Sequence, residues 1–333
     1  MTPSEWNVPD LLKLSGEYWS TCALHAGVRL NLFTLLAGSE LTADEAAARA
    51  GADSRATAML LNALVALGLL DKHDQRYSAV PFASQFLSRS SERYIGHIIM
   101  HHHYLMNSWA QLHTAVASGA PARTNSSHDD DASHRESFLM GMFDLASLQA
   151  PTIVAALDLS GRRRLLDLGG GPGTYAIHFC EVNPALQATV YDLPTTRPIA
   201  EKTIARFGLA ERIMFVAGDY HADPVPVGFD VAWLSHVLHS DGPDSCARLL
   251  ATASAALDPG GILVVQEFIL NDTKDGPLFP ALFSLNMLIG TNGGQAYAEE
   301  ELCTMMKATG LVDVQRISID LPNGAGIIMG TKM

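Results

Sequence analysis

Positive charge is scarce in this chain: 22 Lys and Arg stand against 35 Asp and Glu in 333 residues, a formal net charge of −13. Nucleic acids and anionic membranes repel such a surface, so neither is expected as a partner. The one run of arginines, Arg162–Arg164, precedes an apolar segment and reads as the solvated start of a strand. Cysteine is sparse too. Cys22, Cys180, Cys246 and Cys303 are far apart and form no CxxC pair, which argues against a disulfide framework or zinc knuckle and suits a reducing cytosol. No apolar run is long: the stretch near Ala58–Leu70 is interrupted by Asn62 and is too short to cross a bilayer. Met1–Asp10 carries Pro3, Glu5, Pro9 and Asp10 and does not read as a secretory signal. A cytoplasmic location is expected. Apolar residues, by contrast, reach 48%, enough for the cores of two domains of roughly 100–200 residues each.

Residues 1–95 read as a helical first domain. Thr42 followed by Glu45 is a capping-box pattern, and Gly51 stops the helix that follows. Ala56–Leu67 has helical apolar spacing and ends at Gly68; Leu69–Lys72 and Arg76–Ala79 then flank a polar turn. Helix, turn, helix and short hairpin make a winged-helix pattern. Within 40–75, Arg49, Arg55 and Lys72 are outnumbered by Glu40, Asp44, Glu45, Asp53, Asp71 and Asp74. That balance favours packing against a partner subunit over gripping DNA. Residues 96–155 read as a helical linker: a long helix over 91–122, a polar loop over 123–137 with Asp129–Asp131, and a helix over Phe138–Leu148 before Pro151.

From 156 to 333 strand and helix alternate, which predicts an α/β domain with a parallel sheet covered on both faces. The predicted strands are Leu165–Leu168, Ala188–Tyr191, Ile213–Val216, Val231–Leu234 and Ile262–Glu267, closed by an antiparallel hairpin, Val312–Ile319 with Ile327–Gly330. The strongest motif is Asp167-Leu168-Gly169-Gly170-Gly171-Pro172-Gly173, where an apolar strand enters a glycine-dense turn before a helix. Glycines let backbone approach a ligand, at the strand end where open α/β sheets bind one. The dinucleotide pattern GxGxxG fails at Thr174, and no GxxxxGK[ST] is present. Asp192 ends the second strand, where an acid can accept from ribose hydroxyls, and Asp219-Tyr220 ends the third, where an acid and a ring can frame a base.

This combination resembles the class I S-adenosylmethionine (SAM)-dependent methyltransferases, and more narrowly the O-methyltransferase family with an N-terminal dimerisation domain. The resemblance spans nearly the whole chain and rests on DLGGGPG, YDLP, GDY and Leu238-His239 in the second domain, with the winged-helix pattern and the segments around Trp109 and Phe138 in the first. It implies a Rossmann-like seven-stranded sheet, a homodimer formed through the first domain, SAM as cofactor and S-adenosylhomocysteine as product. It also implies that Asp167, Gly169, Gly171, Asp192, Leu193, Asp219, Tyr220 and Ser235 hold the cofactor. Plant members carry a lysine where this chain has Ser235.

The family's catalytic histidine falls at His239, and the carboxylate that flanks it falls at Glu267. A phenol with pKa near 10 is a poor nucleophile at neutral pH, and an imidazole can take its proton as the oxygen attacks. A carboxylate beside the imidazole fixes its tautomer. A second glutamate of plant members is replaced by Ala296. The expected reaction is methyl transfer to a hydroxyl of a small-molecule acceptor. A thiol or thioether acceptor, a family member that binds SAM without methylating, and a SAM-sensing regulator stay open as alternatives. An acceptor pocket between the domains is expected to draw on His101, Tyr104, Met106, Trp109, Phe138, Met142, Phe143, Phe283, Asn286 and Met287. No metal is expected: consecutive residues of His101–His103 point about 100° apart on a helix and do not converge on one ion.

Overall fold

The structure, a computed structural model, describes residues 5–123 and 132–333. The chain forms two compact units, Met1–Tyr104 and Leu105–Met333, so the division falls inside the segment 96–155.

Local signals shape the first unit. The Thr42 hydroxyl accepts from the Glu45 N–H at 3.2 Å, and the Glu45 carboxylate accepts from the Thr42 N–H at 2.7 Å. This reciprocal cap starts the helix Ala43–Ala50, and Gly51 at φ +66° ends it. The helix Ser54–Ala66 follows, capped by Asp53, which accepts from the Ala56 N–H at 2.8 Å. Strands β1 (Leu41–Thr42), β2 (Leu70–His73) and β3 (Arg76–Ala79) form an antiparallel sheet in the order β1-β3-β2. Leu32, Leu36, Leu61, Leu64 and Leu70 are buried in this unit's core.

Three features of the linker differ from the sequence expectation. The single helix over 91–122 is two, Gly96–Trp109 and Leu112–Ser118. Between them the Gln111 side-chain amide donates to the Asn107 carbonyl at 3.3 Å, satisfying an orphan acceptor of the first helix end. Pro151 does not end a helix but lies inside Ala132–Ala156. An interior proline costs about 3 kcal/mol. Here its neighbours Ala150 and Ile153 are fully buried, and packing offsets the cost. That 25-residue helix, not Ala58–Leu70, is the long apolar one; by length and composition it is sufficient to cross a membrane, yet it delivers Ala150 and Ile153 to the core of the second unit. The polar run Asp129–Asp131 lies outside the described residues.

The second unit is built on β4 (Arg164–Leu168), β5 (Gln187–Asp192), β6 (Ile213–Ala217), β7 (Phe229–Ser235), β8 (Leu257–Leu270), β9 (Tyr297–Ala298), β10 (Leu311–Ile317) and β11 (Ala325–Lys332). Seven run in the order β10-β11-β8-β7-β4-β5-β6, and β9 pairs with the end of β8. The pairs β6–β5, β5–β4, β4–β7 and β7–β8 are parallel, whereas β11 is antiparallel to both its neighbours. Parallel strands covered on both faces need continuous apolar runs, which Leu165-Leu166 and Val231–Leu234 supply. One layer gathers Tyr175 and Phe179 around Trp233, with ring centroids at 4.9 and 5.3 Å; the other gathers Leu166, Leu234, Leu250 and Leu302. Full burial of such a side chain contributes roughly 1.5–3 kcal/mol. The chain winds from β4 to one side and returns through β7 to the other. The crevice at the carboxyl ends of β4 and β7 is therefore the topological switch point, where open sheets of this kind take ligands.

Candidate active site

The turn after β4 is a cradle made of backbone. Gly169, Gly171 and Gly173 have φ of +70°, +54° and +80°, which glycine alone adopts without strain. A Cβ at Gly171 would meet nothing within 4 Å, so the loop is open on that side. A Cβ at Gly170 would lie 2.6 Å from the Asp167 carboxyl carbon. Asp167 is 1% exposed, and burial pushes its carboxyl up to about 7, against the pull of the Ala176 N–H at 3.3 Å and with a further push from Asp192.

Asp192 ties the loop to the next strand. Its Oδ2 accepts from the Gly171 N–H at 2.8 Å, and its Oδ1 accepts from the Leu193 N–H at 2.7 Å and the Thr196 hydroxyl at 3.0 Å. A carboxylate has about four acceptor sites. Three are used, so Asp192 retains one for a ribose hydroxyl and not the two that sequence alone allows. Past the end of β6, Asp219 accepts from the His221 N–H at 2.9 Å, and the Tyr220 ring lies 3.7 Å from where a Gly169 Cβ would stand. At the end of β7, the Ser235 hydroxyl donates to Gln266 at 3.0 Å, and Gln266 donates to Gln149 at 3.2 Å. A neutral serine–glutamine chain thus stands where the resemblance puts a lysine in plant members. Acids at two neighbouring strand ends, a ring beside the loop and an open backbone cradle fit a nucleoside whose reactive end is positively charged.

A histidine–glutamate pair stands on the next two strands, β7 and β8. His239 lies in a 3₁₀ turn, Leu238–Ser240, just after β7, and Glu267 lies in β8. His239 Nδ1 is 2.8 Å from Glu267 Oε2, and the His239 backbone N–H donates to Oε1 at 3.3 Å. Glu267 is 2% exposed. Burial alone would raise its carboxyl, but the facing His239 and His236 outweigh that and hold it far below the usual carboxylate range. His236 Nδ1 reaches to 3.6 Å of the same Oε2. Phe283 meets the His239 ring edge-on at 4.8 Å, and Phe268 sits 4.2 Å from the His236 ring. Gly294 explains the glycine pair before position 296: its Cβ would fall 2.4 Å from the His239 carbonyl oxygen. Ala296 is buried beside Leu270 and Ala298, and its N–H donates to Ser284 at 3.1 Å.

Of the expected pocket residues, Phe283 meets the pair directly, its ring edge-on to His239. The Trp109 indole N–H donates to Asn286 at 3.0 Å, and Met287 is buried on the same helix. Phe143 instead packs against Phe207 at 6.1 Å, under the Arg206 guanidinium at 5.0 Å. Met106, Phe138 and Met142 are half-buried in the second unit, and His101 and Tyr104 belong to the first. Sequence reasoning passed over His236, Gln266, Phe268 and Phe279. The two histidines three apart and the aromatic residue after Glu267 were the available signals.

An O-methyltransferase dimerisation-domain model matches residues 12–89, and an O-methyltransferase domain model matches 105–312. A 3-hydroxy-5-methyl-1-naphthoate 3-O-methyltransferase of Streptomyces sahachiroi is 35% identical over 99% of this chain and 97% of that one. The chain belongs to the SAM-dependent O-methyltransferases. The SAM-dependent methyltransferase PigF of a Serratia strain is 27% identical over 95% of this chain and 93% of its own. The structure of PigF with SAH superposes with a TM-score of 0.91 at 27% identity, covering 98% of this chain and 100% of that one. Human N-acetylserotonin methyltransferase in complex with SAM gives 0.84 at 27% identity over 100% and 99%. SAM is the cofactor of this methyltransferase, and it supplies an electrophilic methyl carbon on a sulfonium.

Proposed function

We propose that this methyltransferase acts on a hydroxyl of an aromatic small molecule, with His239 as general base and Glu267 as the group that orients it. The buried His239–Glu267 pair at 2.8 Å carries the reading. With Nδ1–H given to the carboxylate, Nε2 keeps its lone pair and takes the hydroxyl proton as the acceptor oxygen attacks. Glu267, already ionised, balances the imidazolium. Phe268, Phe279 and Phe283, with centroids 4.7–6.0 Å apart, offer a flat acceptor an apolar wall. A naphthoate, the acceptor class in the relative's name, would suit it. A sulfur acceptor needs little or no base, so the buried pair favours oxygen. Asp167, Gly169, Gly171, Asp192, Leu193, Asp219, Tyr220 and Ser235 are assigned to the cofactor, with alignment of the methyl in line to the attacking oxygen contributing on the order of 7–11 kcal/mol.

The same proposal takes the first unit as a winged helix that forms a cytoplasmic homodimer. Trp6, Leu12 and Trp19 are 57%, 66% and 70% exposed, an apolar surface unusual on a monomer. Light scattering should give twice the chain mass. His239→Ala should lower turnover of a phenolic acceptor by roughly 10²–10⁴ with S-adenosylhomocysteine affinity unchanged in calorimetry. Undiminished turnover removes His239 from the mechanism.

A further inference from the structure

We propose that His236, His239 and Glu267 form a binding site for a divalent cation of the zinc class, and that its occupation turns the base off. The second half rests on His239 as the base; the binding half does not. Donor atoms from the three residues lie within 4.8 Å of one another, the one such group among the described residues. A tetrahedral ion with bonds of about 2.0–2.1 Å holds its donors roughly 3.4 Å apart. The two histidine–glutamate spacings, 2.8 and 3.6 Å, bracket that value, so only the edge between the imidazoles has to close. Two imidazoles and one carboxylate leave a fourth position for water, and they suit zinc, cobalt or ferrous iron rather than magnesium or calcium.

Two independent features point to a ligand. His236 Nδ1 is buried with no hydrogen-bond partner, and its carboxylate neighbour is too far at 3.6 Å to be one. His236 also holds φ at +56°, a left-handed conformation that histidine adopts more readily than most side chains but that still costs energy, and such positions gather at ligand sites. Phe268 and Phe283 wall the donors with apolar surface, and His236 keeps 20% of its side chain exposed as a way in.

The switch follows from the tautomer. Without metal, His239 Nδ1 carries the proton given to Glu267 and Nε2 holds the lone pair. Coordination needs the Nδ1 lone pair, so that proton moves to Nε2. The ring gains and loses no proton overall. The nitrogen that faces the work of deprotonation is now blocked.

The test uses the full chain stripped of metal, with Zn²⁺ alone in calorimetry, Co²⁺ absorption in the visible, and methyl transfer with and without Zn²⁺. His236→Asn is the first variant, because asparagine tolerates the left-handed backbone, and His236→Gly is the second. Each is normalised to its own metal-free rate, with S-adenosylhomocysteine binding as the folding control. The expected result is one Zn²⁺ per chain, a tetrahedral Co²⁺ spectrum, inhibition reversed by chelator, and at least about 10-fold weaker binding and inhibition in both variants. Absence of stoichiometric binding at 100-fold excess overturns the site, and so does equal binding by wild type and variants. Binding through His236 with turnover untouched overturns the switch. The His239→Ala assay, which contains no metal, reports on the base separately.

Discussion

Replacing Asp167 with asparagine should change how stability depends on pH more than it changes stability at acidic pH. Asp167 is fully buried under the glycine loop, and its pKa rises from the ordinary 3.8 to about 7, chiefly through burial. Between those values the folded state keeps a proton that the unfolded chain has released. Stability therefore falls as pH rises through that window and levels off above it. The gap between 3.8 and about 7 corresponds to roughly 4 kcal/mol in all, of which about 3 kcal/mol falls between pH 5 and pH 8. Asparagine keeps an acceptor for the Ala176 N–H and carries no charge at any pH, so the Asp167→Asn protein should lack this slope. At about 2–4 °C per kcal/mol for a unit of this size, the melting-temperature difference between wild type and variant should shift by about 6–12 °C over that range, in favour of the variant at pH 8. Thermal melts of the cofactor-free protein in constant ionic strength measure it. Parallel pH curves for the two proteins would refute the claim that a proton is stored at Asp167.

The other expectations follow from contacts already described. Gly170→Ala drives a methyl into the buried Asp167 carboxylate and should abolish S-adenosylhomocysteine binding in calorimetry while leaving the first unit's far-ultraviolet signature intact. Glu267→Gln removes the charge that fixes the His239 tautomer, and turnover should fall by roughly 10²–10⁴ with cofactor affinity kept. Because the Glu267 carboxyl is held low in the fold, wild type should also lose stability relative to that variant as pH falls below the ordinary carboxylate range. Gly294→Ala pushes against the His239 carbonyl and should lower turnover with little change in cofactor affinity, measured by steady-state kinetics beside calorimetry.

Much of the architecture was legible in the sequence because it is set by short-range physics. Each predicted strand of the main sheet appears within a few residues of its expected bounds, since buried parallel strands need unbroken apolar runs. The Thr42–Glu45 cap formed as read, because both partners are three residues apart. The linker was less legible. Pro151 stays helical because burial of Ala150 and Ile153 outweighs a local penalty, and that balance is invisible in a window of sequence. The site divides the same way. The resemblance paired His239 with Glu267, 28 residues apart, and the two side chains meet at 2.8 Å, His239 in the turn after β7 and Glu267 inside β8 rather than at its end. The single acceptor position left on Asp192, the second imidazole at His236 and the aromatic wall of Phe268 and Phe279 were not legible.

The sequence by itself determined which segments become strands and helices, where the glycines free the backbone, and which acids end the strands, because each depends on neighbours a few residues away. Only the tertiary structure decided that a carboxylate is buried with a raised pKa beneath the cradle, that two imidazoles converge on one glutamate, and that Phe143 turns away toward Phe207. Burial, charge coupling and ring packing are set by side chains far apart in the chain, and their energies exist only once the sheet has brought them together.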